Sequence, residues 1–220
     1  MLYLGFVVGV AVGLFACGLD AARFCAATLI LLVPALLGGR LWYLLGHPET
    51  RSRSWDLQSS GAGLYGGLVL SFALSWPVVG LLGLPFWRFW DGAAVVLLVG
   101  MTVTRMGCLM TGCCAGRETH GPLGMWLPDH TDTWLRRYPT QLLEMVWTAS
   151  ILTVGLWLYA PTDPPGALFL GAAAAYGFAR LGFELLRDGA SITTRSTRIN
   201  MAFSAALAAG ALAGLFCISA

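Results

Sequence analysis

Two arginines, three glycines and three cysteines fall within one short stretch, Thr104-Arg105-Met106-Gly107-Cys108-Leu109-Met110-Thr111-Gly112-Cys113-Cys114-Ala115-Gly116-Arg117. Arg105 closes a segment that is otherwise apolar. A guanidinium at the centre of a bilayer costs about 2.5–3.5 kcal/mol on insertion scales, so one retained there generally faces an anion. The glycines that follow allow backbone to approach closely, and the thiols add nucleophilic or metal-ligating groups. Together these residue types point to a phosphate-handling site at membrane depth rather than to a packing solution.

Other polar residues interrupt apolar segments in the same way. Arg40 closes Gly38-Gly39-Arg40; Gln141 and Glu144 lie one helical turn apart; Arg180 and Glu184 are four apart, with Arg187 one turn beyond. Residues four apart share a helix face. One reading makes Arg180–Glu184 and Arg105–Glu144 self-neutralised pairs that serve only the fold. Against it, four arginines and two glutamates exceed what folding needs, because buried ion pairs rarely add net stability. An excess of positive charge inside a helical bundle predicts an anionic ligand. With Gly66-Gly67 and Gly112 nearby, a phospholipid head group is the natural candidate.

The elements that must position these groups are membrane helices. The chain has 220 residues, of which 57% are hydrophobic and only 11% charged, with a mean hydropathy of +0.73. Soluble domains carry roughly 25% charged residues. About 20 consecutive apolar residues span a bilayer, and seven segments meet or approach that length: 2–19, 25–45, 63–84, 91–110, 139–160, 166–187 and 199–219. The expectation is an all-α, polytopic protein with about seven transmembrane helices in a single domain, 1–220. Glycines 5, 9 and 13 form small-residue faces for close helix contact, as do Gly210 and Gly214. Phe86-Trp87-Arg88-Phe89-Trp90 reads as an interfacial aromatic belt between the third and fourth helices. Met1-Leu2-Tyr3 lacks the positive region of a cleavable signal, so the first segment is expected to be retained.

All 13 basic residues are arginine, whose planar fork suits bidentate phosphate contacts; a GC-rich genome produces the same bias. Placing the polar connections 46–62, 111–138 and 188–198 on one side collects Arg51, Arg53, Arg117, Arg136, Arg137, Arg195 and Arg198 there. By the positive-inside rule that side is cytoplasmic, unless those arginines belong to a site.

In its motifs the chain resembles the bacterial prolipoprotein diacylglyceryl transferases. The matching pieces are Gly38-Gly39-Arg40-Leu41-Trp42-Tyr43, Tyr65-Gly66-Gly67-Leu68, Arg105-Met106-Gly107 through Gly112 to Gly116-Arg117, Arg137-Tyr138-Pro139-Thr140-Gln141-Leu142-Leu143-Glu144, and Tyr176-Gly177-Phe178-Ala179-Arg180 with Glu184 to Arg187. Each is weak alone; five in order are specific and cover nearly the whole chain. The resemblance implies a multi-pass enzyme of the bacterial inner membrane, with its site open to the periplasm. It would move the diacylglyceryl group of phosphatidylglycerol to the lipobox cysteine of a preprolipoprotein signal peptide, releasing glycerol phosphate. It also places the arginine-rich loops outside, against the charge count. No cofactor and no nucleic-acid partner are implied.

On this reading Arg105 and Arg180 stabilise the leaving phosphate, with Arg40, Arg117 and Arg187 and the glycines 66, 67 and 116 completing the phosphate site. Glu184 orients Arg180 by a bidentate contact, while Glu144 and Gln141 anchor the nearby loop. The chain departs from the family pattern at three positions: Tyr65 replaces a histidine, Cys108 an asparagine and Cys113 a glutamate. The proton acceptor for the incoming thiol is then Tyr65 or His120.

The cysteines leave alternatives open. Cys17, Cys25 and Cys217 read as small core residues. Cys108, Cys113 and Cys114 are compact substitutes, a redox-active disulfide, or ligands to a metal with His120 or His130; their spacing is not a usual zinc pattern, and no metal is expected. Two other functions compete: a membrane thiol oxidoreductase built on these cysteines, and a non-catalytic transporter or lipid-binding protein. A transferase with another lipid donor or thiol acceptor is a variant of the first.

Overall fold

The computed structural model describes residues 1–46, 63–128, 133–160, 162–187 and 195–219. Arg51, Arg53 and His130 lie outside these residues. Seven helices follow in order: α1 (Leu2–Cys17), α2 (Ala21–Gly46), α3 (Leu64–Leu81), α4 (Phe86–Met110), α5 (Thr140–Leu158), α6 (Ala167–Leu186) and α7 (Arg195–Ser219). Six of them, α2 to α7, are long and apolar enough to cross a membrane, and α1 is a shorter apolar helix. Large apolar side chains lie on the outside, Phe15, Leu81 and Trp157 each more than four-fifths exposed. In lipid this is the expected arrangement, since the solvent is as apolar as the side chains.

Helix ends follow local chemistry. Gly18, at φ 60, stops α1 by donating its amide to the Leu14 carbonyl. Asp20 then accepts the Arg23 amide at 2.9 Å and starts α2 four residues earlier than hydropathy alone indicates. This is the N-cap geometry that satisfies an orphan helix donor. At the end of α3, Gly83 takes φ 64 and Leu84 donates back to Val79 at 3.1 Å, the left-handed stop that glycine permits.

Phe86–Trp90 forms the first turn of α4. Pro85 stands at its N-cap, where a missing amide costs nothing. Phe89 and Trp90 are buried, packed on Phe24 and Phe169 respectively, and Phe72 adds a further ring contact with Trp90. Arg88 reaches across to α5 and the loop after it, donating to the Tyr159 hydroxyl at 2.6 Å and the Asp163 carbonyl at 2.8 Å. Beside it, the buried Asp91 accepts the amides of Gly166 and Phe169 at 2.8 and 3.0 Å, capping α6 from a neighbouring helix. This end of the bundle is therefore tied together by tertiary contacts.

Helix crossings are set by glycine. Gly5, Gly9 and Gly13 of α1 lie against Gly100, Val96 and Gly92 of α4. Gly214 faces Leu170 of α6, whereas Gly210 faces open space. Gly38 of α2 and Gly66 of α3 each pack on the other's carbonyl so closely that neither can carry a Cβ, and a Cβ on Gly67 would stand 2.6 Å from the Ala35 carbonyl oxygen. Gly177 allows α6 the same approach to α7 at Ser204.

The connection between α4 and α5, expected as a polar loop, contains a hairpin. β1 (Met125–Pro128) pairs antiparallel with β2 (Trp134–Arg137), with Met125 opposite Arg137 and Leu127 opposite Leu135. Arg136 fastens its approach, donating to the carbonyls of Gly124 and Gly121, each at 3.2 Å.

Gly66→Ala is expected to destabilise the protein by about 1–3 kcal/mol through overpacking, whereas Gly210→Ala changes stability little. Thermal unfolding in detergent checks this: a lower Tm for the first variant alone is the expected result.

Candidate active site

Three helices bring the central charges together. Glu144 lies one turn into α5, Arg180 and Glu184 lie near the end of α6, and Arg105 lies near the end of α4. Glu144 accepts from both arginines. Its Oε1 takes Arg180 Nη1 at 2.6 Å, and its Oε2 pairs with Arg105 Nη2. Arg180 Nη2 donates in turn to Glu184 Oε2 at 2.8 Å. Two readings of the sequence change here. The pairs are not separate, because one carboxylate joins both guanidinium groups. Nor does Glu184 hold Arg180 in a bidentate grip: each end of the guanidinium fork goes to a different glutamate.

The network continues into other helices. Glu184 Oε1 accepts Asn200 Nδ2 of α7 at 2.9 Å, and Asn200 Oδ1 accepts the Trp42 indole of α2 at 3.1 Å. Tyr65 of α3 is 2.5 Å from Ser204 Oγ, and Ser204 donates to the Asn200 carbonyl at 2.7 Å. A hydroxyl has one proton, so with Ser204 donating onward the Tyr65 phenol is the donor to Ser204. Trp42 packs edge to face on Tyr65 and Phe203 around this relay, and the Tyr65 and Phe203 rings lie tilted against each other.

Burial within the network is uneven. The Glu144 and Arg180 side chains are 4% and 8% exposed, whereas Arg105 is 21% exposed. The accessible edge is therefore the Arg105 edge. Formally the buried group is balanced, two guanidinium groups against two carboxylates, so the expected surplus of positive charge is not inside it. Unpaired charge in a low-dielectric interior is too costly to persist. Of the other arginines assigned to the phosphate, Arg40 is half-buried and lies over the Tyr43 ring, and Arg117 is exposed over the Tyr138 ring.

The segment after α4 is clamped beside this group. Gln141 Nε2 donates to the Cys113 carbonyl at 2.7 Å, and Thr140 Oγ1 to the Cys114 carbonyl at 2.8 Å. Gln141 thus anchors the loop as expected, while Glu144 serves the arginines. Arg187 is not on the α6 face. The helix ends at Leu186, and Arg187 is extended, bridging to Gly116. The Gly116 amide donates to the Tyr138 carbonyl at 2.8 Å, and a Cβ there would stand 2.5 Å from the Leu186 carbonyl oxygen. So Gly116 packs strands together instead of offering its amide to a phosphate. Gly66 and Gly67 likewise turn their bare Cα atoms to α2. His120 is exposed ahead of β1, and among the described residues no hydrogen bond ties it to the network.

Cys108, Cys113 and Cys114 are free thiols beside Arg105, the grouping that their positions in the sequence indicate. Burial raises the Cys113 thiol, but hydrogen bonds from the Thr111 hydroxyl and the neighbouring Cys108 and Cys114 thiols outweigh it and hold the group below its ordinary value. Sequence reasoning missed Asn200 and Ser204, both on α7. The only signal for either was a polar residue inside an apolar helix.

Glu144→Ala leaves two guanidinium groups without their shared partner and is expected to cost about 3–5 kcal/mol. Gln141→Ala, which removes one hydrogen bond to a carbonyl, is expected to cost about 1–2 kcal/mol. Denaturation in detergent of both variants measures the difference.

A family model described as prolipoprotein diacylglyceryl transferase matches residues 1–217. Similar proteins include the phosphatidylglycerol–prolipoprotein diacylglyceryl transferases of Francisella tularensis subsp. holarctica strain LVS and subsp. novicida strain U112, each 32% identical over 162 residues. Those matches cover 70% of this chain and 59% of each relative, so the chain spans under two thirds of the length of the curated relatives it matches. The matched region contains the helices that supply Arg105, Glu144, Arg180 and Glu184 to one buried network, and the chain belongs to the prolipoprotein diacylglyceryl transferase family.

Proposed function

We propose that this protein transfers the diacylglyceryl group of phosphatidylglycerol to the lipobox cysteine of a preprolipoprotein in the bacterial inner membrane. The observation that carries the reading is the convergence of Arg105 and Arg180, from different helices, on the one carboxylate of Glu144. The family membership and the names of the relatives point to the same chemistry.

In this reaction the acceptor thiolate attacks the terminal glyceryl carbon of the diacylglyceryl group. A C–S bond forms, the C–O bond to phosphate breaks, and glycerol phosphate leaves with the electron pair. Negative charge grows on the leaving phosphate, and preorganised cationic donors in a site that excludes water stabilise it most effectively. Arg105 engages Glu144 through one end of its fork, so its other donors can take phosphate oxygens at the accessible edge. Arg180, held by two glutamates, sets the position of Glu144 and through it of Arg105. Arg117, exposed next to the end of α6, assists at the rim, with Arg40 and Arg187 around it.

The thiol proton must go to a base, since the thiolate is the nucleophile. His120 reaches this task from the loop, whereas Tyr65, whose phenol donates to Ser204, takes it only after giving up its own proton. On this proposal the arginine-rich connections belong to the site and face the periplasm, which accounts for their breach of the positive-inside rule.

Arg105→Ala and Arg180→Ala are expected to lower lipid transfer on the order of 10²–10³-fold while the protein still inserts. Arg105→Lys should not restore it, because an ammonium cannot reproduce the guanidinium fork. Transfer of labelled diacylglyceryl from phosphatidylglycerol to a lipobox peptide in detergent measures this, and full turnover by either alanine variant would overturn the assignment. Tyr65→Phe compared with His120→Ala, across pH, identifies the base: the variant that flattens the pH–rate profile carried it.

A further inference from the structure

Apart from the charged network, the densest set of reactive side chains is the thiol group at the end of α4. The Sγ atoms of Cys108, Cys113 and Cys114 all lie within 4.8 Å of one another. A thiophilic cation with metal–sulfur bonds of about 2.3 Å holds three sulfurs in a plane at separations of about 4 Å. The sulfurs are therefore within about 1 Å of closing around one ion.

The backbone that brings them together is a built feature. Cys108 sits in the last turn of α4, and the Cys113 amide donates back to the Cys108 carbonyl at 3.1 Å, folding the chain over the helix end. Gly112 takes φ 67, and Cys114 takes φ 63, the one positive φ at a non-glycine residue among those described. That conformation costs an L-residue roughly 1–2 kcal/mol. Thr140 and Gln141 hold it by binding the carbonyls of Cys114 and Cys113. Thr111 Oγ1 donates to Cys113 Sγ at 3.3 Å, an outer contact of the sort that orients a metal-bound sulfur. Cys114 is exposed, and Cys108 and Cys113 are half-buried, so an ion can enter from the aqueous side.

We propose that Cys108, Cys113 and Cys114 form a three-thiolate site for a thiophilic metal ion of the zinc, cadmium and copper(I) class. The donor set excludes calcium and magnesium, which require oxygen ligands. Binding converts thiols to thiolates and releases their protons to solvent, with no change in oxidation state. The ion ties the end of α4 to the loop clamped by α5, next to Arg105. This site does not depend on the transferase reading.

The test uses the full chain in detergent, reduced with a phosphine and freed of metal, then titrated with cadmium ion. The expected result is an ultraviolet thiolate-to-cadmium band that saturates at one equivalent. Loaded protein should show three fewer maleimide-reactive thiols by mass spectrometry, with Cys17, Cys25 and Cys217 labelled as before. Cys108→Ser, Cys113→Ser and Cys114→Ser should each weaken binding by at least about 100-fold, with helical circular dichroism retained. A Cys17→Ser, Cys25→Ser and Cys217→Ser triple variant should bind as the parent does. A band that survives in the three single variants, or disappears in that triple variant, overturns the proposal. So does isolation of the unreduced protein with a disulfide among Cys108, Cys113 and Cys114, which would make the cluster a redox pair.

Discussion

One carboxylate organises this protein. Glu144 is buried and accepts ion pairs from both Arg105 and Arg180. Because Arg180 also binds Glu184, and Glu184 binds Asn200, which accepts from Trp42, a single chain of polar contacts runs from α4 through α5, α6 and α7 to α2. Tyr65 adds α3 through Ser204. Between apolar helices in lipid there is no hydrophobic force to choose one rotation over another. A buried polar network that is satisfied in only one arrangement supplies that choice, as buried polar groups do in other helical assemblies.

Close packing makes the network possible. Guanidinium groups on α4 and α6 meet a carboxylate on α5 only if the helix ends are near one another. Glycine crossings bring the outer helices in, α1 on α4 through residues 5, 9 and 13, and α2 on α3 through residues 38, 66 and 67. At the opposite end, Asp91 and Arg88 fix where α5 stops and α6 begins. The two ends thus have different roles: one locks the frame by backbone capping, and the other displays partly accessible arginine beside a clamped cysteine loop.

The balanced charge of the buried group bears on the proposed reaction. A pocket of bare arginines would bind phosphate tightly before and after reaction alike, and uniform binding does not accelerate a chemical step. Arginines already held by carboxylates are oriented in advance, and on the proposed function the charge that develops on a leaving phosphate would strengthen the contacts that Arg105 can add. Glu144 and Glu184 act in this scheme as positioning residues.

The number of apolar segments, the all-α class and the identities of Arg105, Glu144, Arg180 and Glu184 were legible in the sequence, because hydropathy and charge are properties of each residue. The glycine face of α1 was legible for the same reason, as a fixed spacing of small residues. What tertiary structure alone decided is which groups meet. Glu144 serves two arginines rather than the loop, Arg187 leaves the helix, Gly66 and Gly67 are filled by α2, and Phe89 and Trp90 turn inward. Each depends on helix rotation and on where a helix ends, which are settled by packing between segments distant in the chain. The cysteines divide in the same way: their grouping was legible in the sequence, whereas the left-handed turn at Cys114, held by residues of α5, and the resulting sulfur separations were decided by the fold.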